Sequence, residues 1–250
     1  MSTKSETKKN ESEVATKQED VMPAYLKDKE VLGMDEVRKY TKTPMFKVIQ
    51  GTSKPDAQDN FGVGSIVAND TLLATAGKPL LVIPVYFWPS WQQRADDQDK
   101  QANHFIVEET MDANSEIARK SRSEKTRTEV YADNPNLKYK FCQSLNFAML
   151  MVDGPLAGAV ALVKFAMGAH KIGENINTSL KARGTSLFYN QIELTSNKTT
   201  NAQSQSWYQL NWQLSEESWT PEAMLEDVER IHREIAAEHA KVDTEFGAEE

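Results

Sequence analysis

The chain has 250 residues, 39% hydrophobic and 26% charged, with a net charge of −8. That length allows one large core or two small ones. Its longest apolar run, 154–169, is broken by Lys164 and is shorter than the roughly 20 residues of a membrane span, so no membrane partner is expected. A single cysteine, Cys142, excludes an internal disulfide framework and fits a reducing cytoplasm. The acid is unevenly spread: residues 216–250 hold 12 Asp and Glu against 3 Lys and Arg, leaving 25 acids and 26 bases in residues 1–215. A near-neutral body therefore carries a strongly acidic end.

Residues 1–24 are Lys, Glu, Ser, Thr, Asn and Gln with almost nothing to bury, so they are expected to be disordered and to hold no secretory signal. "GMDEVRKY" (33–40) suggests a short helix. "MFKVIQG" (45–51) reads as a strand, and the Pro, Asp, Asn and Gly that follow read as a loop. "VGSIVA" (63–68) and "KPLLVIPVYFW" (78–88) are β-branched and aromatic enough to be strands. Residues 92–140 read as a polar insertion, too polar for a core, whose basic stretch "IARKSRSEKTR" suggests a mobile arm or a solvated helix. "FCQSLNFAMLMVDG" and "GAVALVKFAM" are apolar runs separated by the turn signal Asp153-Gly154-Pro155. Ile172, Ile176 and Leu180 mark one stripe of a helix that Gly184 closes.

Two strands follow, 185–196 and 206–214. In the second, Tyr208, Leu210, Trp212 and Leu214 alternate with Trp207, Gln209, Asn211 and Gln213, giving one apolar and one wet face. A last helix begins with Thr220 as cap and Pro221 at its first position, and Leu225, Val228, Ile231 and Ile235 form its apolar face. The domain reading is thus a disordered 1–24, a folded 25–215 containing the 92–140 insertion, a helix over 216–242 and an acidic tail over 243–250.

Catalytic and metal-binding patterns are missing. His232 and His239 lie seven apart without the HExxH pattern of a zinc protease and read as part of a solvated helix face. No Gly-rich phosphate loop and no GxSxG elbow occurs, and Cys142 sits in an apolar run where it reads as core. The expectation is a protein that is not an enzyme and needs no cofactor.

What remains is aromatic rings interleaved with bases and amides on strands. Such surfaces hold single-stranded nucleic acid, because rings stack on any base while Lys and Arg follow the phosphates. The competing reading, that strand aromatics are core, applies to at least one of Tyr86 and Phe87, since neighbours point to opposite faces. Trp207, on the wet face of its strand, and Tyr189 are the candidate stacking rings. Trp88 and Trp91, with Arg94, are expected at a groove edge, and Lys164, Lys171, Lys181, Arg183 and Lys198 supply positive charge. These bases fit a solvated face equally well. In the tail, Asp243, Glu245, Phe246, Glu249 and Glu250 suggest either a partner-binding peptide or a solubility aid.

"TPMFKVIQGTS", "LLVIPVYFWPSW" and "GENINTSLKARGTSLFYNQIELTSNKTTNAQSQSWYQLNW" resemble, in order and spacing over about 43–215, phage-encoded replication proteins of the single-stranded-DNA-binding type. The resemblance implies an α+β, mainly β protein: an OB-like β-barrel with a C-terminal helix and acidic tail. It also implies sequence-independent coating of single-stranded DNA during replication or recombination, no cofactor, and a tail that contacts other replication proteins. Self-association is compatible with this reading. The alternative is a phage structural or assembly protein whose aromatic strands form a subunit interface.

Overall fold

The apolar run at 80–91 becomes the first part of one of the two longest strands, and the run at 141–151 the last part of the other. The computed structural model describes residues 43–97, 105–125, 127–131, 134–202 and 204–246. Residues 1–24 and the helix suggested over 33–40 lie outside them. Strand β4 (Leu80–Asp97) and strand β7 (Asn134–Met151) are 18 residues each and pair antiparallel from Val82↔Met151 to Asp97↔Leu137. At one end they are flanked by β9 (Asn190–Thr200) on β4 and β8 (Val160–Ala166) on β7, with β10 (Ser206–Trp219) beyond β9. Toward the other end the neighbours are β5 (Phe105–Thr110) on β4 and β6 (Thr128–Tyr131) on β7. All pairings in this sheet are antiparallel. The chain is therefore a mixed α+β protein, mainly β, and the seven-stranded sheet does not close into a barrel among the described residues.

The stretch 92–140 is not an insertion outside the strands: Gln92–Asp97 and Asn134–Lys140 prolong β4 and β7. Ladder hydrogen bonds belong to the backbone, so a strand polar on one face pairs as well as an apolar one. The other face of this ribbon is apolar where it matters. Trp91 and Phe141 bury against Ile117 and Ala118 of α2 (Glu116–Ser121), a helix capped by the Ser115 hydroxyl, which accepts from the Ala118 N–H. The basic stretch thus contains an ordered helix with a buried face.

Proline within a strand removes a ladder donor and is tolerated only where that edge is unpaired or bulged. β9 pairs with β4 only at Leu80–Val82 and β5 begins at Trp91, so Pro84 and Pro89 lie between the two neighbours. The register also shifts between Pro84↔Met149 and Tyr86↔Ala148, leaving Val85 as the extra residue of a β-bulge.

The main core lies on one face of the sheet. Val82, Leu145, Phe147, Met149, Val163, Phe165, Ile192 and Leu194 are buried there beneath Ile176 and Leu180 of α3 (His170–Ala182), which follows the expected stripe. Gly184, at φ +67°, ends that helix as expected. A small antiparallel sheet, β1 (Lys47–Val48), β2 (Ile66–Ala68) and β3 (Thr71–Ala74), adds Ile66 and Ala68 to the same core. The expected loop before β2 contains a short helix, α1 (Pro55–Phe61). Residues 44–50 bridge the two sheet edges. Phe46 N–H donates to Leu162 O (2.9 Å) on β8, and the Gln50 amide bonds both the N–H (2.9 Å) and C=O (2.7 Å) of Tyr208 on β10.

The opposite face carries Ile83, Val85 and Leu150, covered by Val228, Ile231 and Ile235 of α4 (Leu225–Phe246). Thr220 does not cap this helix: its hydroxyl donates to Phe188 O (2.7 Å), and Pro221 precedes a 3₁₀ turn, Glu222–Met224. The helix also runs past 242, so Asp243, Glu245 and Phe246 are helical rather than part of a free tail. No helix of the described residues is long and apolar enough to cross a membrane.

Candidate nucleic-acid interface

Sheet alternation sorts the candidate residues by face. Beyond the bulge, Tyr86, Trp88, Ser90 and Gln92 of β4 project to the α4 side of the sheet, whereas Phe87 and Trp91 project to the core side. Trp91 is only 6% exposed, packed with Ile117, Ala118 and Phe141, so it lines no groove. Its strand stays ordered past the point where the sequence turns polar, and α2 covers it. Trp88 is half-buried: its ring centroid lies 4.5 Å from that of His239 on α4, and Tyr86 lies 5.0 Å from the same histidine. The expected pair of displayed tryptophans is therefore one core ring and one ring beneath a helix.

Next to Trp88 the same face holds a polar network. The Glu109 carboxylate accepts from Ser90 Oγ (2.6 Å), Gln92 Nε2 (3.1 Å) and Lys164 Nζ (2.8 Å to the nearer oxygen). Asn146 Nδ2 donates to Ser90 Oγ, Ser144 Oγ to Asn146 Oδ1, and Arg94 to Gln92 Oε1. Burial pushes the Glu109 carboxyl up, but bonds from Lys164, Ser90 and Gln92, together with the Lys164 charge, outweigh it and hold the group below its ordinary range. Lys164 is thus committed to Glu109, and Arg94 is tied into the same network. Arg94 also lies directly opposite Lys140 across the ladder, two cations face to face.

The remaining bases do not join this surface. Lys171 and Lys181 are exposed on α3, which packs on the core side of the sheet. Arg183, at the end of α3, stacks its guanidinium 3.8 Å from the centre of the Trp219 ring and reaches Ser218 Oγ at 3.3 Å. Lys198 is exposed opposite Tyr208 and so points away from the face that carries Trp207. Tyr189 is not a free stacking ring: its hydroxyl donates to Glu229 Oε1 of α4 (3.0 Å), and that carboxylate raises the phenol above its ordinary range.

Trp207 does stand on a wet face, 37% exposed, with Thr199 opposite it and its Nε1 donating to Gln209 Oε1 (3.2 Å). Along that face Gln209, Asn211 and Gln213 of β10 lie opposite Asn197, Thr195 and Glu193 of β9, an amide-rich platform beside the ring. In the acidic end Asp243, Glu245 and Phe246 belong to α4, while Glu249 and Glu250 fall outside the described residues.

Three features were missed by reading the sequence. Trp219 is 49% exposed under Arg183, hidden because β10 changes register between Leu214 and Trp219. His232 and His239 are not on a solvated face: His232 Nδ1 donates to Val85 O (2.9 Å), and His239 meets Tyr86 and Trp88. Spacing puts both on one side of the helix, but nothing local says that this side faces the sheet. The third is Cys142, half-buried beside Gln143, His170, Met167 and Arg127 around a shallow hollow of about 290 Å³. Burial pushes its thiol up, which makes it a poor nucleophile. No three His, Cys, Asp or Glu side chains among the described residues are grouped to hold a metal ion.

A family model described as Pam3 phage gp34-like protein matches residues 14–241. The chain belongs to the Pam3 phage gp34-like protein family. Phage origin is thereby indicated. The match takes in the small sheet, the seven-stranded sheet and most of α4, so the elements that build the outer face of this gp34-like protein are family features rather than an appended arm. No curated protein and no solved structure matches the chain.

Proposed function

We propose that this gp34-like phage protein binds single-stranded DNA without sequence preference, on the outer face of an OB-like sheet. One observation carries the reading: the order of strands and helix. Omitting the ribbon at the far end, the chain runs β4, β7, β8, α3, β9, β10 and the strands lie side by side as β10-β9-β4-β7-β8. An OB fold has the same arrangement, five antiparallel strands with the helix between the third and fourth. Segment 44–50 spans the gap such a barrel leaves between its third and fifth strands.

In that fold ligands bind across the second and third strands and at the loops joining strands one to two and four to five. Here those are the outer face of β8, the ribbon beyond Trp91, and the turn at 201–205 beside Trp207; on β7 that face is already filled, with Ser144, Asn146, Ala148 and Leu150 buried. The ring of Trp207 and the amides of β10 would take bases, and Arg94 with Lys140 would take phosphate. The acidic end of the chain, α4 and the residues after it, would contact a replication or recombination partner.

A mobility shift on oligo-dT against duplex of equal length, at two salt concentrations, tests the proposal. Single-strand preference that weakens with salt supports it. Absence of binding at low salt removes it and leaves the assembly role, which the long uncharged edge of β10 favours.

A further inference from the structure

Independently of DNA, the free edge of β10 carries a second reading. In an antiparallel ladder, residues whose N–H and C=O point to one neighbour alternate with residues whose groups point to the other. Gln50 bonds both backbone groups of Tyr208 from the side away from β9, so Tyr208 faces that free edge. Two-residue alternation then sends the N–H and C=O of Leu210, Trp212 and Leu214 the same way, and no described strand pairs with them there. Proteins ordinarily blunt such edges with brevity, Lys or Pro. The other strands of this chain follow that rule: β6 and β3 have four residues each, β5 carries Glu108 and Glu109, and β8 carries Lys164. Residues 206–215 of β10 contain no charge and no proline, and Leu214 is 37% exposed.

We propose that this edge pairs with the same edge of a second copy, antiparallel about a twofold axis with Trp212 opposite Trp212 of the partner subunit. The occupant follows from self-complementarity. This register pairs every free group of Leu210, Trp212 and Leu214 and sets Leu210 against the exposed Leu214 of the other copy. It also sets Asn211 against Gln213, amide to amide. Sliding by two residues in one direction meets Tyr208, whose groups Gln50 already holds, and in the other leaves Leu210 unpaired. Two copies of an acidic chain repel, and β10 is where they can meet without opposing charges.

Sedimentation of the full chain without DNA should show a dimer at micromolar concentration. Leu214→Lys, which points a charge at the seam, should raise the dissociation constant at least tenfold, and Trp207→Ala should not. Circular dichroism distinguishes a dissociated variant from an unfolded one. Register is read by cross-linking in a Cys142→Ser background: an Asn211→Cys chain mixed with a Gln213→Cys chain should form a disulfide on oxidation. Either chain alone should do so far less, because only 211 and 213 oppose each other. A monomeric wild type, or a dimer that Leu214→Lys leaves intact, overturns the proposal, as does efficient cross-linking of either chain alone. Failure to bind oligo-dT bears on none of these readings.

Discussion

Trp91 and Trp207 carry the same ring into opposite surroundings, and their replacement should separate cleanly. Trp91→Ala removes a ring packed on Ile117, Ala118 and Phe141, and should destabilise the fold by about 3–5 kcal/mol in a denaturant titration. Trp207→Ala should leave stability nearly unchanged and weaken oligo-dT binding by about 1–3 kcal/mol, the value of one stacked base. Loss of the fold in the second variant with normal stability in the first would reverse the face assignment. Glu109 gives a pH test. Its carboxyl is held below the ordinary 4.5, so the stabilisation it supplies is complete above that value and is lost as pH falls through the lower folded value. Glu109→Gln should flatten the acid limb of stability while changing little about its slope near neutrality. Trp207 was legible because two-residue alternation places it with amides. Trp91 was not, because the residues that bury it come from positions 117, 118 and 141, and the polar chain between conceals them.

At the scale of elements, α4 is fastened to the sheet at a backbone irregularity. The bulge at Val85 takes its carbonyl out of the ladder, and His232 Nδ1 donates to it, which requires the proton on that nitrogen. His232→Leu would leave the carbonyl without that bond and should cost about 1–3 kcal/mol, read as earlier loss of helix on heating. Sequence periodicity found the helix and its Val228–Ile231–Ile235 stripe, but not the histidine, whose partner is 147 residues away. Helix α3 shows the converse. Gly173 weakens its propensity, yet a Cβ there would lie 3.0 Å from Leu145 Cβ and 3.1 Å from Phe165 Cβ, atoms fixed to strand backbone. Gly173→Ala should therefore destabilise by about 1–3 kcal/mol, in spite of alanine's better helix propensity. Gly173 is thus what lets the helix approach β7 and β8.

For the whole molecule, the uneven charge makes a prediction independent of any single side chain. Residues 216–250 hold all of the net acid, residues 1–215 having one base in excess, and α4 lays part of it over the outer face of the sheet. A tethered polyanion competes with phosphate at high effective concentration, and salt weakens that competition over a Debye length of about 10 Å at 0.1 M. Removing 243–250 should tighten oligo-dT binding at low salt, change it little at high salt, and leave the melting curve of the sheet in place. Equal affinity at both salts, with the same partner captured, would leave the acidic end only a solubilising part. The order of strands and helix was legible from the apolar runs alone. The length of β4 and β7 was not: beyond Trp91 one face of each turns polar, and pairing there rests on backbone bonds that leave no mark on composition.

The extra residue at Val85 sets the two halves of β4 out of step. Upstream of it the even-numbered positions, Leu80 and Val82, enter the core; downstream the odd-numbered ones, Phe87 and Trp91, do so. One residue of chain length therefore decides whether Tyr86, Trp88, Ser90 and Gln92 meet α4 and the Glu109 network or the hydrocarbon core. Removing Val85 would transpose that whole set, sending two polar side chains inward and two core rings outward without altering a single side chain downstream. A single-residue deletion here should be as damaging as several core substitutions together, whereas one at 201–205, between β9 and β10, should be absorbed locally. Length variation among relatives of this chain should accordingly spare 80–91 and gather in the turns.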